Sequence, residues 1–309
     1  MPQVLNHVKG KKMKKYKGKA IYQPDGRAGE YSRWACNLHN GCSNCCTYCF
    51  LKKGVWAGRL GIEVPELQVS FINSVAAYKI FRKELMRHRD QIIKDGGITF
   101  CYTTDPCLLK PVNTFKLYYA CAICCLKAGV PVTLLTKCTS WIYTEKGEKL
   151  LASGGKRLCV GFSLTGQDRK EPFADTNWRR IQAMRYAKSK GCHTFASIEP
   201  VIDFGTSKKM IESTIGFCDL YKIGLLQHCN IVFKRTDLSM FIIDVAEIAS
   251  RNPSAVVYWK ESCRKLYGSD IEGSQFVNDY YNIFAKDIIN TERKGKVTQQ
   301  DFSSPLYNY

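Results

Sequence analysis

The chain has 309 residues and carries 46 Lys and Arg against 27 Asp and Glu, a formal net charge of +19. Hydrophobic content of 45% with 12% aromatic residues excludes a disordered or collagen-like polymer and suffices for one large α/β barrel or two ordinary domains. No apolar run approaches the ~20 residues of a membrane span, and the basic N-terminus lacks the apolar stretch of a signal peptide, so a cytoplasmic protein with no membrane partner is expected.

Residues 1–30 read as a basic arm. Lys9, Lys11, Lys12, Lys14, Lys15, Lys17 and Lys19 crowd around Gly10 and Gly18, where self-repulsion opposes a helix, and Pro24-Asp25-Gly26 marks a turn. Short β-rich runs and amphipathic helices then alternate. Strands are expected at Ser32–Asn37, Ile98–Thr103, Pro131–Thr136, Leu158–Ser163, His193–Glu199 and Leu220–Leu225, with a further one at Ala255–Trp259. Helices are expected at Phe71–Lys94, Asn113–Ala128, Thr144–Ala152, Thr176–Lys190, Ser207–Phe217 and Leu238–Ser250. Six strand–helix units with one apolar face per helix favour an α/β fold, a partial (β/α)6 TIM-type barrel of parallel strands over residues 31–265; a doubly wound sheet is the alternative. Residues 266–309 read as a short C-terminal helical extension, with a helix at Gln275–Ile289. In either architecture the chemistry belongs at the C-terminal ends of the strands.

Sixteen cysteines in such a chain do not suggest a disulfide framework. Most sit in apolar patterns and suit a core. The group Cys36, Cys42, Cys45, Cys46 and Cys49 is denser and lies among Gly, Asn and Ser after the first strand. Cys42, Cys46 and Cys49 have the spacing C-x3-C-x2-C, with which three thiolates on one loop can wrap a cubane 4Fe-4S cluster and leave one iron open. The competing reading is zinc held by Cys42, Cys45, Cys46 and Cys49, with His39 nearby, although contiguous pairs make a strained chelate.

This loop resembles that of the radical S-adenosylmethionine enzymes, and residues 20–265 resemble their spore photoproduct lyase branch. The features that carry the resemblance are Tyr22-Gln-Pro-Asp-Gly, Asn40-Gly-Cys42 with Tyr48-Cys49, Thr103-Thr104-Asp105-Pro106, Leu134-Leu-Thr136-Lys137, Phe162-Ser163-Leu-Thr165 and Ser197-Ile-Glu199-Pro200. The resemblance implies a cluster on Cys42, Cys46 and Cys49 whose open iron chelates S-adenosylmethionine. An electron from the reduced cluster then gives a 5′-deoxyadenosyl radical that abstracts hydrogen from a substrate. It implies an electron donor such as flavodoxin or ferredoxin. It places Tyr48 near the adenine or the cluster, and Thr104, Lys137 and Ser163 in contact with the cofactor. Glu199 suits the cofactor or the barrel mouth, and equally a structural ion pair; Asp105 and Asp203 are weaker candidates of the same kind, and Trp259-Lys260-Glu261 would close the far side of the mouth. The branch returns a hydrogen atom from a cysteine at the end of strand two, where this chain has Tyr102, so Tyr102, or Cys107 in the following loop, becomes the expected donor. Alternation along that strand puts Cys101 and Tyr102 on opposite faces.

The lysine arm, the helix residues Lys79, Arg82, Lys83, Arg87 and Arg89, and Arg179, Arg180 and Arg185 point to nucleic acid as the partner, with DNA favoured. A lesion lyase or base-modifying activity is expected. A radical enzyme acting on a peptide or small molecule and a zinc-stapled nucleic-acid-binding protein are the alternatives.

Overall fold

The β-branched and aromatic runs of the chain line up in a single sheet in the computed structural model, which describes residues 15–53, 57–227 and 231–285. Strand β1 (Ile21–Tyr22) lies antiparallel to β2 (Ala35–Cys36), and β3 (His39–Asn40) pairs with β4 (Glu66–Leu67) as a separate hairpin. From β2 the main ladder runs parallel through β5 (Ile98–Phe100), β6 (Val132–Thr136), β7 (Leu158–Ser163), β8 (His193–Val201), β9 (Leu220–Leu225), β10 (Val256–Trp259) and β11 (Phe276–Val277). Among the described residues no ladder joins β1 to β11, so the α/β fold is an open, partial barrel.

After the one-turn helices α1 (Gly26–Gly29) and α2 (Ala57–Leu60), helices α3 (Ser74–Lys94), α4 (Thr114–Lys127), α5 (Glu145–Gly154), α6 (Asn177–Ser189), α7 (Phe204–Glu212) and α8 (Arg235–Ser250) follow the strands in turn. Side-chain caps set where five of them begin. Asn73, Asn113, Thr144, Thr176 and Asp203 each accept a hydrogen bond from the backbone N–H three residues on. Trp34, Phe81, Phe100, Tyr118, Trp141, Phe162 and Trp259 are buried in one apolar cluster with the helices' inner faces. Among the described residues no helix is long and apolar enough to cross a membrane.

Several expected elements differ. The first strand is limited to Ala35–Cys36, because the Ser32 hydroxyl bonds the Trp34 carbonyl and the Asn37 amide donates to the Tyr22 hydroxyl, which draw the chain out of the ladder at both ends. Strand β5 stops at Phe100. Beyond it the Tyr102 N–H donates to Asn37 Oδ1 and the Thr103 hydroxyl to the His39 carbonyl, so strand alternation does not reach Cys101 and Tyr102. Helix α7 starts at Phe204 rather than Ser207, behind its Asp203 cap.

The expected helix at Gln275–Ile289 is corrected over 275–284. There Phe276–Val277 forms β11, drawn onto the free edge of β10 by the Val257 N–H···Gln275 O bond, and the chain then crosses the sheet base, with the Tyr280 hydroxyl on the Asp95 carbonyl. Phe276, Val277, Tyr280, Tyr281 and Phe284 imitate a helical stripe, but Gly273 and Asn278-Asp279 interrupt it; residues 286–289 lie outside the described residues. Beyond β10 the chain forms α9 (Glu261–Tyr267), at the junction with the expected C-terminal extension. Of the basic arm, Lys9, Lys11, Lys12 and Lys14 lie outside the described residues. Residues 19–21 dock on α3, their three N–H groups converging on the buried Glu84 carboxylate at 2.8–3.0 Å.

Candidate active site

The cysteine loop leaves β2 and β3 at the C-terminal end of the sheet, where a βα fold collects its functional groups. Gly41 turns it with φ +83°, and a Cβ there would lie 2.3 Å from Ile62 Cγ1, so only glycine fits. The Cys42 N–H then donates to Ile62 O, the Thr47 N–H to Lys170 O and the Cys49 N–H to Cys46 O. The three thiols of the C-x3-C-x2-C spacing are free. Cys45 has a left-handed backbone, φ 48°, and lies beside the surface pair Lys52–Glu63 as well as Cys49.

Asp105, after β5, ties the loop to the barrel. Its carboxylate accepts from the Asn44 amide (2.8 Å), the Thr136 hydroxyl (2.6 Å) and the backbone N–H groups of Lys137 (2.8 Å) and Cys107 (2.9 Å). These four donors saturate it, so its part is to hold the loop rather than to bind a cofactor. Asp203 is the cap of α7. Thr104, beside Asp105, has a buried hydroxyl with no partner, which an inward-facing ligand would satisfy.

Lys137, after β6, has its Nζ 3.8 Å from Glu171 Oε1 and 5.7 Å from the Tyr48 ring centre. Burial disfavours its charge, but Cys46 and Glu171 outweigh it and hold the amine above its usual pKa. The Tyr48 hydroxyl donates to the same Glu171 oxygen. Burial raises the Cys46 thiol, while Lys137 and Arg180 favour its thiolate. Ser163, the last residue of β7, is buried, and its carbonyl accepts from Arg180 Nη1. Arg180, expected on the basic surface, is fully buried and ion-paired to Glu171 at 2.7 Å. The helical spacing of Asn177, Arg180, Ile181, Met184 and Ala187 puts it on the inner face of α6, a periodicity legible in the sequence. Glu171 is not distinguishable in the sequence, because Asp168 and Asp175 share its loop after the fourth barrel strand.

Across the mouth, a register irregularity in β8 at Glu199-Pro200 presents Glu199. Its Oε2 accepts from Lys260 Nζ at 2.6 Å and from the Tyr31 hydroxyl, which also bonds Ser197 Oγ. Lys260 reaches Glu30 too, at 3.4 Å, and so closes this side of the mouth.

Tyr102 hydrogen-bonds Ser32 Oγ at 2.9 Å, with its ring 6.0 Å from that of Tyr31. Cys107 is fully buried, and its backbone N–H donates to Asp105 Oδ1 at 2.9 Å. The Cys101 thiol lies between Asn37 Oδ1 (3.0 Å) and the Tyr118 hydroxyl (3.1 Å).

The chemistry of the donor set fits a cluster. A cubane spreads its thiolates over separate irons, which suits three spaced thiols and an unpartnered hydroxyl nearby. On the outer surface Lys79, Arg82, Lys83, Arg87, Arg179 and Arg185 are exposed, whereas Arg89 donates to Ala128 O and Asp90. Phe50 and Phe173, on the connections after β3 and β7, and Trp178, in the first turn of α6, stand exposed at 64%, 72% and 68%.

No family model matches the chain, and no curated protein matches it. Among solved structures, spore photoproduct lyase complexed with dinucleoside spore photoproduct aligns with a TM-score of 0.52 at 14% identity, over 74% of this chain and 77% of that one. A doubly substituted spore photoproduct lyase with bound AdoMet and the dinucleoside aligns at 0.52 with 12% identity, over 73% and 76%. The chain has the partial-barrel α/β fold of spore photoproduct lyase.

Proposed function

We propose that this chain is a radical S-adenosylmethionine enzyme acting on nucleic acid, DNA in the first instance. The observation that carries the reading is the loop after the first barrel strand, where Cys42, Cys46 and Cys49 are free in the C-x3-C-x2-C spacing behind a turn only Gly41 can make, with a buried, unpartnered Thr104 hydroxyl after the next strand of the ladder. The spore photoproduct lyase structures with bound AdoMet and a dinucleoside lesion support it. Cys42, Cys46 and Cys49 would hold a 4Fe-4S cluster. When bound, cluster and S-adenosylmethionine supply a 5′-deoxyadenosyl radical, given one electron from a donor such as flavodoxin or ferredoxin.

The chain's own residues set the stage. Lys137, kept charged, suits the cofactor carboxylate. Thr104 and Ser163 offer hydroxyls at strand ends, and Glu199 is held rigid by Lys260 and Tyr31 at the opposite rim. Tyr102 keeps its hydrogen, because burial pushes its pKa well above the usual phenol range. Its O–H is the hydrogen source we assign in place of the cysteine of the lyase branch. The exposed Phe50, Phe173 and Trp178 with the neighbouring Arg179 make a rim on which an extruded base stacks.

The test is anaerobic reconstitution with iron and sulfide, then reduction with S-adenosylmethionine and chromatography for 5′-deoxyadenosine. About four irons per chain and 5′-deoxyadenosine are expected. Alanine at Cys42, Cys46 or Cys49 abolishes both, and alanine at Cys45 spares them. Equal loss at Cys45, or zinc in place of iron, overturns the reading. DNA affinity that falls steeply with salt tests the substrate class.

A further inference from the structure

The carboxylate of Glu171 is wholly buried on the loop between β7 and α6, yet three groups from three other parts of the fold converge on it. Tyr48 donates its hydroxyl from within the cysteine loop, Lys137 approaches from the end of β6, and Arg180 forms a 2.7 Å ion pair from α6 while its Nη1 holds the last carbonyl of β7. The Nε and second Nη of Arg180 find no hydrogen-bond acceptor, so its charge is committed to Glu171 and Ser163 O. The preceding residue adds a second tie, because Lys170 O accepts from the Thr47 N–H. Tyr48 stands between Cys46 and Cys49, whose own turn is closed by the Cys49 N–H···Cys46 O bond. Where Glu171 sits therefore decides where that turn sits.

We propose that Glu171 is a positioning residue for the cysteine loop: its buried carboxylate pins Tyr48, and with it the Cys46–Cys49 turn, to the ends of β6 and β7. The inference rests on the cluster reading above. A carboxylate that merely neutralised Lys137 and Arg180 would act on fold stability without passing through Tyr48, and this separates the two roles. Groups that orient metal ligands are worth about 10–100-fold in metal retention.

The test uses the whole chain, reconstituted anaerobically with iron and sulfide and challenged with excess chelator while the iron–sulfur absorbance is followed, with no turnover involved. Glu171→Gln and Tyr48→Phe are each expected to lose the cluster about tenfold faster than the wild type. The double variant is expected to lose it no faster than the faster single variant, because both cut the same link. Additive effects, or wild-type retention in either single variant, overturn the proposal. If Glu171→Gln fails to fold, because two buried cations lose their counter-charge, Glu171→Asp keeps the charge and draws the carboxylate back from Tyr48. It is expected to shed the cluster faster at an unchanged melting temperature, and wild-type retention there is equally fatal. A wild-type chain that takes up no cluster takes the functional reading down as well, whereas a stable wild-type cluster unmoved by these variants removes this inference alone.

Discussion

Lys260 and Lys222 both lie over the Tyr31 ring inside the barrel, at 4.2 and 5.0 Å, and the fold treats their charges in opposite ways. Lys260, toward the mouth, meets Glu199 at 2.6 Å and Glu30 at 3.4 Å. Lys222 lines a cavity toward the base with Thr99, Thr133, Phe195 and Tyr280, and its amine donates only to the carbonyls of Glu30 and Tyr31. Burial, helped by the charge of Lys260, pushes the Lys222 pKa down to about 7. A buried ion persists where a carboxylate compensates it and tends to neutrality where only dipoles and rings do. The mouth gives its lysine two carboxylates; the base gives its lysine carbonyls and rings.

Breaking the mouth pair gives the largest effect. Lys260→Met leaves Glu199 and Glu30 without their cation, and a loss of about 3–5 kcal/mol is expected in urea unfolding at neutral pH. No loss would mean that the pair does not hold Glu199. Asp105→Asn comes next, because its amide would confront donors where the carboxylate accepts four hydrogen bonds. A cost of about 1–3 kcal/mol follows, together with a looser cysteine loop, read by faster protease cleavage near Asn44.

Lys222→Met separates the two ends by pH. The folded chain carries Lys222 neutral above about 7, whereas the unfolded chain keeps it charged to 10.5, so unfolding takes up a proton and stability rises with pH across that window. The wild type should therefore gain on the variant by up to about 1.4 kcal/mol per pH unit. The comparison belongs between about pH 7 and 8.5, below the ordinary thiol range where buried cysteines begin to lose stability. A flat difference would put a carboxylate-held charge at the base after all. The smallest effect is expected outside the barrel. Asp25→Asn removes the partner of Lys15 and Lys17, but the pair is open to solvent on both sides, and an unchanged melting temperature is expected.

The strands β7 and β9 and the cores of helices α3, α4 and α6 were legible because periodicity and capping residues agree there. The spacing of Cys42, Cys46 and Cys49 on one loop is also local and readable without the fold. The segment at 275–284 was misread because its apolar spacing fits a helix as well as it fits an edge strand followed by a chain crossing the base. The burial of Cys107 is not legible in the sequence, because its distance from Asp105 along the chain says nothing of which way the thiol points.

By itself the sequence determined the alternation of strands and helices, the basic surface and the cysteine triad, all of which follow from hydrophobic period, charge count and spacing over a few residues. Only the tertiary structure decided which polar groups face one another. It put Arg180 under Glu171 rather than in solvent, Tyr31 and Lys260 on Glu199, and Asp105 across from Asn44. Those partners lie from 9 to 168 positions apart in the chain, and the energy of a buried charge depends on what surrounds it in space.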